Sequence, residues 1–153
     1  MRRSMLFIPG NSPNLLMNAD VLGSDAIILD LEDAVAPAEK DAARILVRNT
    51  MRYMDFRGCE IIVRINSIDT PYWRKDLDQI LPYKPDLILL DGGSGQVAAV
   101  APILQKYALD IPLYGLVKDD RHRTRAIAMD KDLTKRMVAP VGVDTPAWET
   151  VTY

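Results

Sequence analysis

Short apolar runs rich in β-branched residues alternate along this chain with longer amphipathic stretches. This alternation is typical of βα units around a parallel sheet, because strands that are buried on both faces have continuous hydrophobic sequences. Five runs have strong strand character and a sixth is weaker: residues 5–8, 26–31, 60–65, 86–91, 113–117 and, as the weak sixth, 150–153. The pattern predicts the α/β class, with a mostly parallel sheet of five to six strands.

The stretches between the strands predict amphipathic helices. The first begins at Ser12-Pro13, an N-cap followed by proline at the first helical position, and ends at Gly23. The second covers residues 38–53 and combines an apolar face with an arginine stripe, which indicates a solvated face rather than a binding patch. The apolar-face positions are Ala42, Ile45, Leu46, Asn49 and Met51, and the stripe is Arg44, Arg48 and Arg52. Further helices are predicted from Thr70-Pro71, over 94–109 and over 130–138.

The length of 153 residues allows one domain with one core. A complete eight-unit barrel takes about 250 residues. We therefore expect residues 1–153 to form a single α/β domain, a three-layer sandwich of flavodoxin-like or Rossmann-like type. An open sheet edge invites strand pairing, so a homodimer is compatible with this fold, although no partner is required.

The charge balance and the cysteine count exclude several classes of protein. Lys plus Arg is 19 and Asp plus Glu is 21, a net charge of −2, so the chain offers no general basic field and no nucleic-acid partner is expected. The single cysteine, Cys59, excludes an intramolecular disulfide and a cysteine-based zinc cluster. No apolar run approaches the ~20 residues of a membrane span. We expect a cytoplasmic protein without a membrane partner, recombinant if engineered.

Polar residues follow the carboxyl ends of the predicted strands, where α/β folds place their ligand sites. The relevant segments are Phe7-Ile8-Pro9-Gly10-Asn11, Leu29-Asp30-Leu31-Glu32-Asp33-Ala34-Val35 and Val63-Arg64-Ile65-Asn66. Asp30, Glu32, Asp33 and Asp91 are expected to converge at these ends. Carboxylate oxygens suit a hard cation, so a weak magnesium or calcium site is one interpretation, and residues without any ligand are the other.

The run from Arg3 to Gly10, the Leu-Asp-Leu-Glu-Asp-Ala-Val segment and Arg64-Ile65-Asn66 resemble the β subunit of citrate lyase and its relatives. These are the magnesium-dependent, HpcH-HpaI aldolase-like acyl-CoA lyases on TIM barrels, and the resemblance covers residues 2–80. It implies that Arg64 binds a substrate carboxylate or carbonyl, as a planar guanidinium suits. It also implies that Glu32 and Asp33 order metal-bound water or substrate, with Asn66 in the same pocket. In that family a Glu and an Asp from later strands hold the magnesium.

Residues 84–127 are similar to the ribonuclease-H-like endonuclease domain of the UvrC excinuclease family, on the segment Leu90-Asp91-Gly92-Gly93-Ser94-Gly95-Gln96. The resemblance implies that Asp91 is a metal ligand of a nuclease site. The family's other ligands have no counterpart here, and Ser94 replaces its usual lysine. One ligand does not hold a catalytic metal pair.

Residues 128–153 resemble D-alanine–D-alanine ligases, on Met129-Asp130-Lys131 and on Gly142-Val143 followed by Thr145-Pro146. The central domain that binds nucleotide and magnesium in those ligases is missing.

A glycine-rich turn and one histidine are candidate anion sites. Backbone N–H groups at Gly93 and Gly95 could cradle an anion at a helix N-terminus, whereas a structural turn and N-cap is the alternative. His122 lies between Arg121 and Arg123, which suits either a phosphate patch or a solvated helix start.

Three dissimilar resemblances in series, each without a complete active site, predict an engineered or chimeric folded α/β protein. Its segments are 1–82, 83–127 and 128–153; we expect no catalytic residue, no enzyme activity and no required cofactor, with magnesium binding at most weakly. The alternative is a truncated acyl-CoA lyase-like protein that retains a weak carboxylate or CoA pocket around Arg64, Glu32 and Asn66. A nuclease remnant that uses Asp91 is a third hypothesis.

Overall fold

The computed structural model describes residues 3–118 and 125–128, with side chains for residues 3–117. The strands in this part of the chain are β1 (Met5–Pro9), β2 (Ala26–Asp30), β3 (Glu60–Ile65), β4 (Leu87–Asp91), β5 (Leu113–Lys118) and β6 (Arg125–Ala128). The α-helices are α1 (Pro13–Met17), α2 (Lys40–Tyr53), α3 (Trp73–Ile80) and α4 (Ser94–Lys106). Short 3-10 turns cover Ala19–Leu22, Pro37–Glu39 and Leu81–Tyr83.

The strands form one sheet in consecutive order, from β1 to β6. The first five are parallel, and β6 runs antiparallel to β5. The predicted α/β class and mostly parallel sheet are confirmed, and each strongly predicted strand lies within one residue of its predicted bounds. The predicted strand at 150–153 and the predicted helix at 130–138 lie outside the described residues. The homodimer stays a prediction.

The layers differ from the expected sandwich. Residues from all four helices pack in one core with one face of the sheet, among them Leu16, Val47, Ile80 and Leu104. The opposite face, here called the inner face, carries a second cluster made only of strand residues: Ala26, Ile28, Ile62, Leu87, Leu89 and Tyr114. Each right-handed crossover moves to the next strand in the same direction, which places the helices on one side. Flavodoxin-like and Rossmann-like sheets instead reverse direction at a switch point.

The buried face of α2 is rotated relative to the predicted one. Lys40, Ala43, Arg44, Val47 and Thr50 are buried, at the spacing of one helix face, whereas Ile45 is 48% exposed. The predicted solvated stripe is therefore wrong at Arg44, which is 3% exposed. Its guanidinium is buried because it pairs with Asp41 at 2.8 Å and with Asp76 at 3.5 Å.

None of the helices in the described part of the chain has the length and apolar character needed to cross a bilayer.

The carboxyl end of β1 approaches β2 closely at Gly10. Its N–H donates to the carbonyl oxygen of Asp30 at 2.8 Å. A Cβ atom at this position would lie 2.8 Å from that oxygen and 2.9 Å from Cγ2 of Val47. The absence of a side chain at Gly10 thus allows the end of β1, the end of β2 and α2 to meet.

We expect Gly10→Ala to lower the free energy of unfolding by about 1–3 kcal/mol, the usual cost of overpacking a core. Urea denaturation measures the change. Gly95→Ala is the matched control, because a Cβ atom there meets nothing within 4 Å and alanine favours a helix. Equal losses of stability in the two variants would contradict this account of Gly10.

The amino ends of β1 and β2 are joined through the carboxylate of Asp25. It accepts hydrogen bonds from the backbone N–H of Arg3 at 2.7 Å and of Ser4 at 3.0 Å, and it pairs with the Arg3 guanidinium at 3.1 Å. The hydrogen bonds from Arg3 hold the pKa of Asp25 well below its ordinary value. The lowered pKa belongs to the folded state, so this carboxylate contributes stability above its ordinary titration range.

This contribution should be lost as the pH falls below about 4, where the unfolded carboxyl takes up a proton before the folded one does. We expect Asp25→Asn to be less stable than the wild-type chain at pH 7. Between pH 5 and pH 3, its stability should fall less than that of the wild-type chain. Urea midpoints across that range test this. The control is Asp110→Asn, at an exposed position outside the strands, which should keep the wild-type slope.

Candidate active site

Arg64, near the end of β3, is the centre of the site. It pairs in register with Asp30 of β2 and lies on the inner face, two residues after Ile62. Its side chain has 0% exposure, and a buried guanidinium needs paired negative charge. Nη1 donates to Oδ2 of Asp30 at 3.2 Å, and Nη2 donates to Oδ1 of Asp91, the last residue of β4, at 2.9 Å.

The turn after β2 adds two further carboxylates. Glu32 forms an ion pair with Nη2 of Arg64, and Oδ2 of Asp33 lies 3.7 Å from the same nitrogen. The backbone N–H of Glu32 donates to Oδ1 of Asp30 at 2.7 Å, which ties the turn to the end of its strand. The structure thus brings all four predicted carboxylates together around one guanidinium.

The cluster carries a surplus of negative charge and opens to solvent on one side. Four carboxylates face one guanidinium, so three negative charges are formally unbalanced among these residues. The Asp30 side chain is 4% exposed, whereas those of Glu32, Asp33 and Asp91 are 17%, 33% and 24% exposed. A cation or a protonated group of a ligand therefore has access to the three outer carboxylates.

Asn66 lies behind the site rather than at its mouth. Its Nδ2 donates to the carbonyl oxygen of Leu31 at 3.0 Å and to Oδ2 of Asp76 at 2.7 Å. Both amide protons are thus used inside the protein, which leaves none to donate to a substrate. The side chain that the sequence placed in a substrate pocket instead ties the turn after β2 to Asp76.

Sequence reasoning missed a buried polar group behind the site, formed by Lys40, Arg44 and Asp76 with Asn66. Burial lowers the pKa of Lys40, and the nearby charges of Glu32, Asp76 and Asp30 oppose that shift. Burial raises the pKa of Asp76 in spite of its hydrogen bonds from Asn66. One signal was available, because Lys40 and Arg44 share the helical spacing of the buried Val47.

The glycine-rich turn after β4 forms the start of α4. Gly93 is the N-cap residue, and its carbonyl oxygen accepts hydrogen bonds from the N–H groups of Gln96 and Val97. The side chain of Gln96 donates to Oδ2 of Asp69 at 2.6 Å, which joins this turn to the loop after β3. The structural turn and N-cap is thus present, anion binding at Gly93 and Gly95 stays a prediction, and His122 lies outside the described residues.

The metal-ligand role of Asp91 also stays a prediction. Its carboxylate pairs with Arg64. Within residues 3–117, no group of three or more histidine, cysteine, aspartate or glutamate side chains has the arrangement of a complete metal site.

Two family models match the chain. The HpcH/HpaI aldolase/citrate lyase model matches residues 3–91. The UvrC RNAse H endonuclease domain model matches residues 51–147, which confirms the predicted excinuclease resemblance over a longer stretch. The two matches overlap over residues 51–91, where β3 and β4 pair as parallel neighbours in one sheet. No comparison shows the ligase resemblance, and residues 129–153 lie outside the described part of the chain.

Two named proteins are similar in sequence to more than half of this chain. Citrate lyase subunit beta of Leuconostoc mesenteroides subsp. cremoris is 43% identical over 90 residues, 59% of this chain and 30% of the relative. A (3S)-malyl-CoA thioesterase of Cereibacter sphaeroides is 41% identical over 118 residues, 76% of this chain and 40% of the relative. The chain spans less than half the length of these relatives.

Two solved structures are also similar to most of this chain. The citrate lyase beta subunit of M. tuberculosis, in complex with oxaloacetate and magnesium, has a TM-score of 0.59 and 31% identity, covering 76% of this chain and 48% of that one. RipC of Yersinia pestis has a TM-score of 0.55 and 28% identity, covering 79% of this chain and 48% of that one.

We expect Arg64→Met to lower the free energy of unfolding by about 3–5 kcal/mol at pH 7, because the buried carboxylate of Asp30 loses its counter-charge. Urea denaturation at pH 7 measures this. Arg48→Met is the control on a partly buried arginine that bonds Gln79 instead; a loss at Arg64 no larger than the loss at Arg48 would contradict the account.

The comparisons with known proteins correct two predictions made from the sequence. A 118-residue match to a natural protein within a chain of 153 residues must run across residue 83, where the predicted join between unrelated segments lies. The hypothesis of an engineered chimera is therefore wrong. The prediction that the chain is not an enzyme is also wrong, because its relatives are enzymes. The chain belongs to the HpcH/HpaI aldolase/citrate lyase family.

Proposed function

We propose that this chain provides the arginine and carboxylate part of an acyl-CoA lyase-like or thioesterase-like active site that takes a small carboxylate together with magnesium. The buried Arg64 guanidinium among four carboxylates, at the carboxyl ends of parallel strands, carries the proposal. Support comes from the citrate lyase and malyl-CoA thioesterase relatives. This was the alternative interpretation of the sequence, a residual carboxylate or CoA pocket around Arg64.

Magnesium fits the donor chemistry of this site. Glu32, Asp33 and Asp91 offer partly exposed carboxylate oxygens, the ligand type of a hard cation, and Mg²⁺ usually takes one or two carboxylates with water and substrate. One or two of these carboxylates, together with water and substrate, would hold the ion, which when bound would polarise a substrate carbonyl as a Lewis acid. Solved structures of the M. tuberculosis citrate lyase beta protein contain magnesium with acetoacetate or with oxaloacetate.

The charge of the cluster determines how an anionic substrate can enter. Nη2 of Arg64 is shared by Glu32, Asp33 and Asp91, so a substrate carboxylate reaches it only when a carboxylate of the protein gives way. Three unbalanced negative charges also repel an anion. If Glu32 or Asp91 held a cation, that carboxylate would be drawn away from the guanidinium, and both obstacles would be reduced. Nη2 of Arg64 would then donate to the substrate carboxylate, while Nη1 keeps its bond to Asp30.

A metal-dependent nuclease is the second candidate, favoured by the UvrC RNAse H match over residues 51–147. Asp91 would be its metal ligand. Against this candidate, the Asp91 carboxylate is already paired with Arg64 at 2.9 Å on the inner face, as a carboxylate-binding site would use it. Cleavage of plasmid DNA in the presence of magnesium, abolished by Asp91→Ala, would favour the nuclease.

We expect magnesium and oxaloacetate together to raise the melting temperature of the chain by several degrees, because ligands that bind only the folded state stabilise it by mass action. Oxaloacetate alone should have no effect, since the anion needs the cation. Differential scanning fluorimetry with the four ligand combinations measures this. Asp33→Asn should weaken the joint effect, and Asp55→Asn, which lies in the loop before β3, should not. A shift with oxaloacetate that is independent of magnesium would contradict the proposal.

A further inference from the structure

The turn that carries Glu32 and Asp33 has two backbone carbonyl groups, one buried and one partly buried, that its own strand does not satisfy. The strand β2 ends at Asp30, so the carbonyl oxygens of Leu31 and Glu32 lie beyond the sheet. A buried carbonyl without a partner costs free energy, and the position of such a turn depends on what its carbonyls bond to.

Lys40 supplies both carbonyls with a partner. Its Nζ donates to the carbonyl oxygen of Leu31 at 2.7 Å and to that of Glu32 at 2.6 Å. Lys40 is the first residue of α2, is 6% exposed, and has its Nζ 5.8 Å from the centre of the Tyr72 ring. A lysine buried to this degree loses hydration that only close polar partners can replace.

A second support reaches the same turn from the other side. The carbonyl oxygen of Leu31 also accepts a hydrogen bond from Nδ2 of Asn66 at 3.0 Å. Asn66 is itself held by Asp76 of α3, whose Oδ2 accepts from its backbone N–H at 3.0 Å and from its amide at 2.7 Å. The turn is therefore fixed by side chains from α2 and from the loop after β3.

We propose that Lys40 is a positioning residue that holds the Leu31–Glu32 turn by its two carbonyls and so presents Glu32 and Asp33 to Arg64. Asn66 and Asp76 provide the second support. Lys40 reaches the carboxylates through the backbone, and its ammonium is turned away from solvent. What the turn is used for rests on the proposed function, whereas its dependence on Lys40 does not.

Hydrogen exchange of the full chain tests the proposal without a ligand. In the turn, the N–H of Glu32 donates to Asp30 and the N–H of Val35 donates to the carbonyl of Glu32. We expect Lys40→Met to speed exchange at these two amides by about tenfold or more, and amides of β4 to keep their protection, because the loss is local. Lys40→Arg, which retains a cationic donor, should recover part of the protection.

Arg48→Met is the matched control, two turns along α2, where the side chain bonds Gln79 and Asn49; it should leave the turn unchanged. Equal loss of protection in the turn and in β4, or no loss in either, would overturn the proposal. If Lys40→Met does not fold, Lys40→Arg and Asp76→Asn provide the test, with partial loss of protection at Glu32 expected in both and unchanged exchange there contradicting it.

A second readout separates this inference from the proposed function. In Lys40→Met, the joint effect of magnesium and oxaloacetate on the melting temperature should be lost, since Glu32 and Asp33 are no longer presented together. If the wild-type chain does not respond to these ligands, the proposed function fails, and the exchange experiment still decides the role of Lys40. If Lys40→Met loses turn protection but responds to the ligands as wild type does, Lys40 holds the turn without positioning the site, and the proposal is overturned.

Discussion

The site depends on the burial of one positive charge. A guanidinium without solvent contact is stable only where carboxylates surround it, because the desolvation of an unpaired charge exceeds what packing can offset. Arg64 obtains these carboxylates from both neighbouring strands and from the turn after β2. The register that pairs Asp30 with Arg64 is therefore required for the site as well as for the fold. A slip of one residue would bring Val63 to the inner face and send the arginine into the helix-covered core.

Charged side chains form two layers, and the Leu31–Glu32 turn belongs to both. The outer layer, around Arg64, has more carboxylates than cations. The layer behind it has two cations, Lys40 and Arg44, and one buried carboxylate, Asp76. The positive charge of the layer behind the turn lies close to the negative surplus around Arg64, as is seen in the pKa of Lys40, which burial lowers and which Glu32 and Asp30 act to raise. The positive charge behind the turn thus offsets part of the negative surplus, and the remainder lies on the partly exposed carboxylates.

Much of the sheet was predictable from the sequence, because five short β-branched runs carry their own signal. The buried face of α2 was predicted wrongly, although Lys40 and Arg44 share the helical spacing of the buried Val47. The burial of Arg44 depends on Asp76, thirty-two positions later in the sequence, and no local pattern reveals such a partner. The same limit applies to Asn66, whose residue type suits a substrate pocket but whose amide is used by Leu31 and Asp76. Residue type and position at a strand end predicted which carboxylates come together with Arg64, whereas long-range contacts decide which polar side chains are turned inward.

The mistaken inference of a chimera has a physical origin. A parallel strand followed by a tight glycine turn and a helix needs similar residues in any α/β protein, since the turn must let the helix start beside the strand end. The Asp91-Gly92-Gly93 segment meets that local need: Gly93 is the N-cap of α4 and Gly92 has a φ of +154°. A match of this segment alone therefore reflects local geometry, although the endonuclease-domain match extends well beyond it, over residues 51–147. The side chain of Asp91 has a role beyond the local turn, because it pairs with Arg64 on the neighbouring strand. It therefore belongs to the same charged cluster as the segment before it. The contacts across the predicted join, more than the residues on either side of it, show that the two segments form one site.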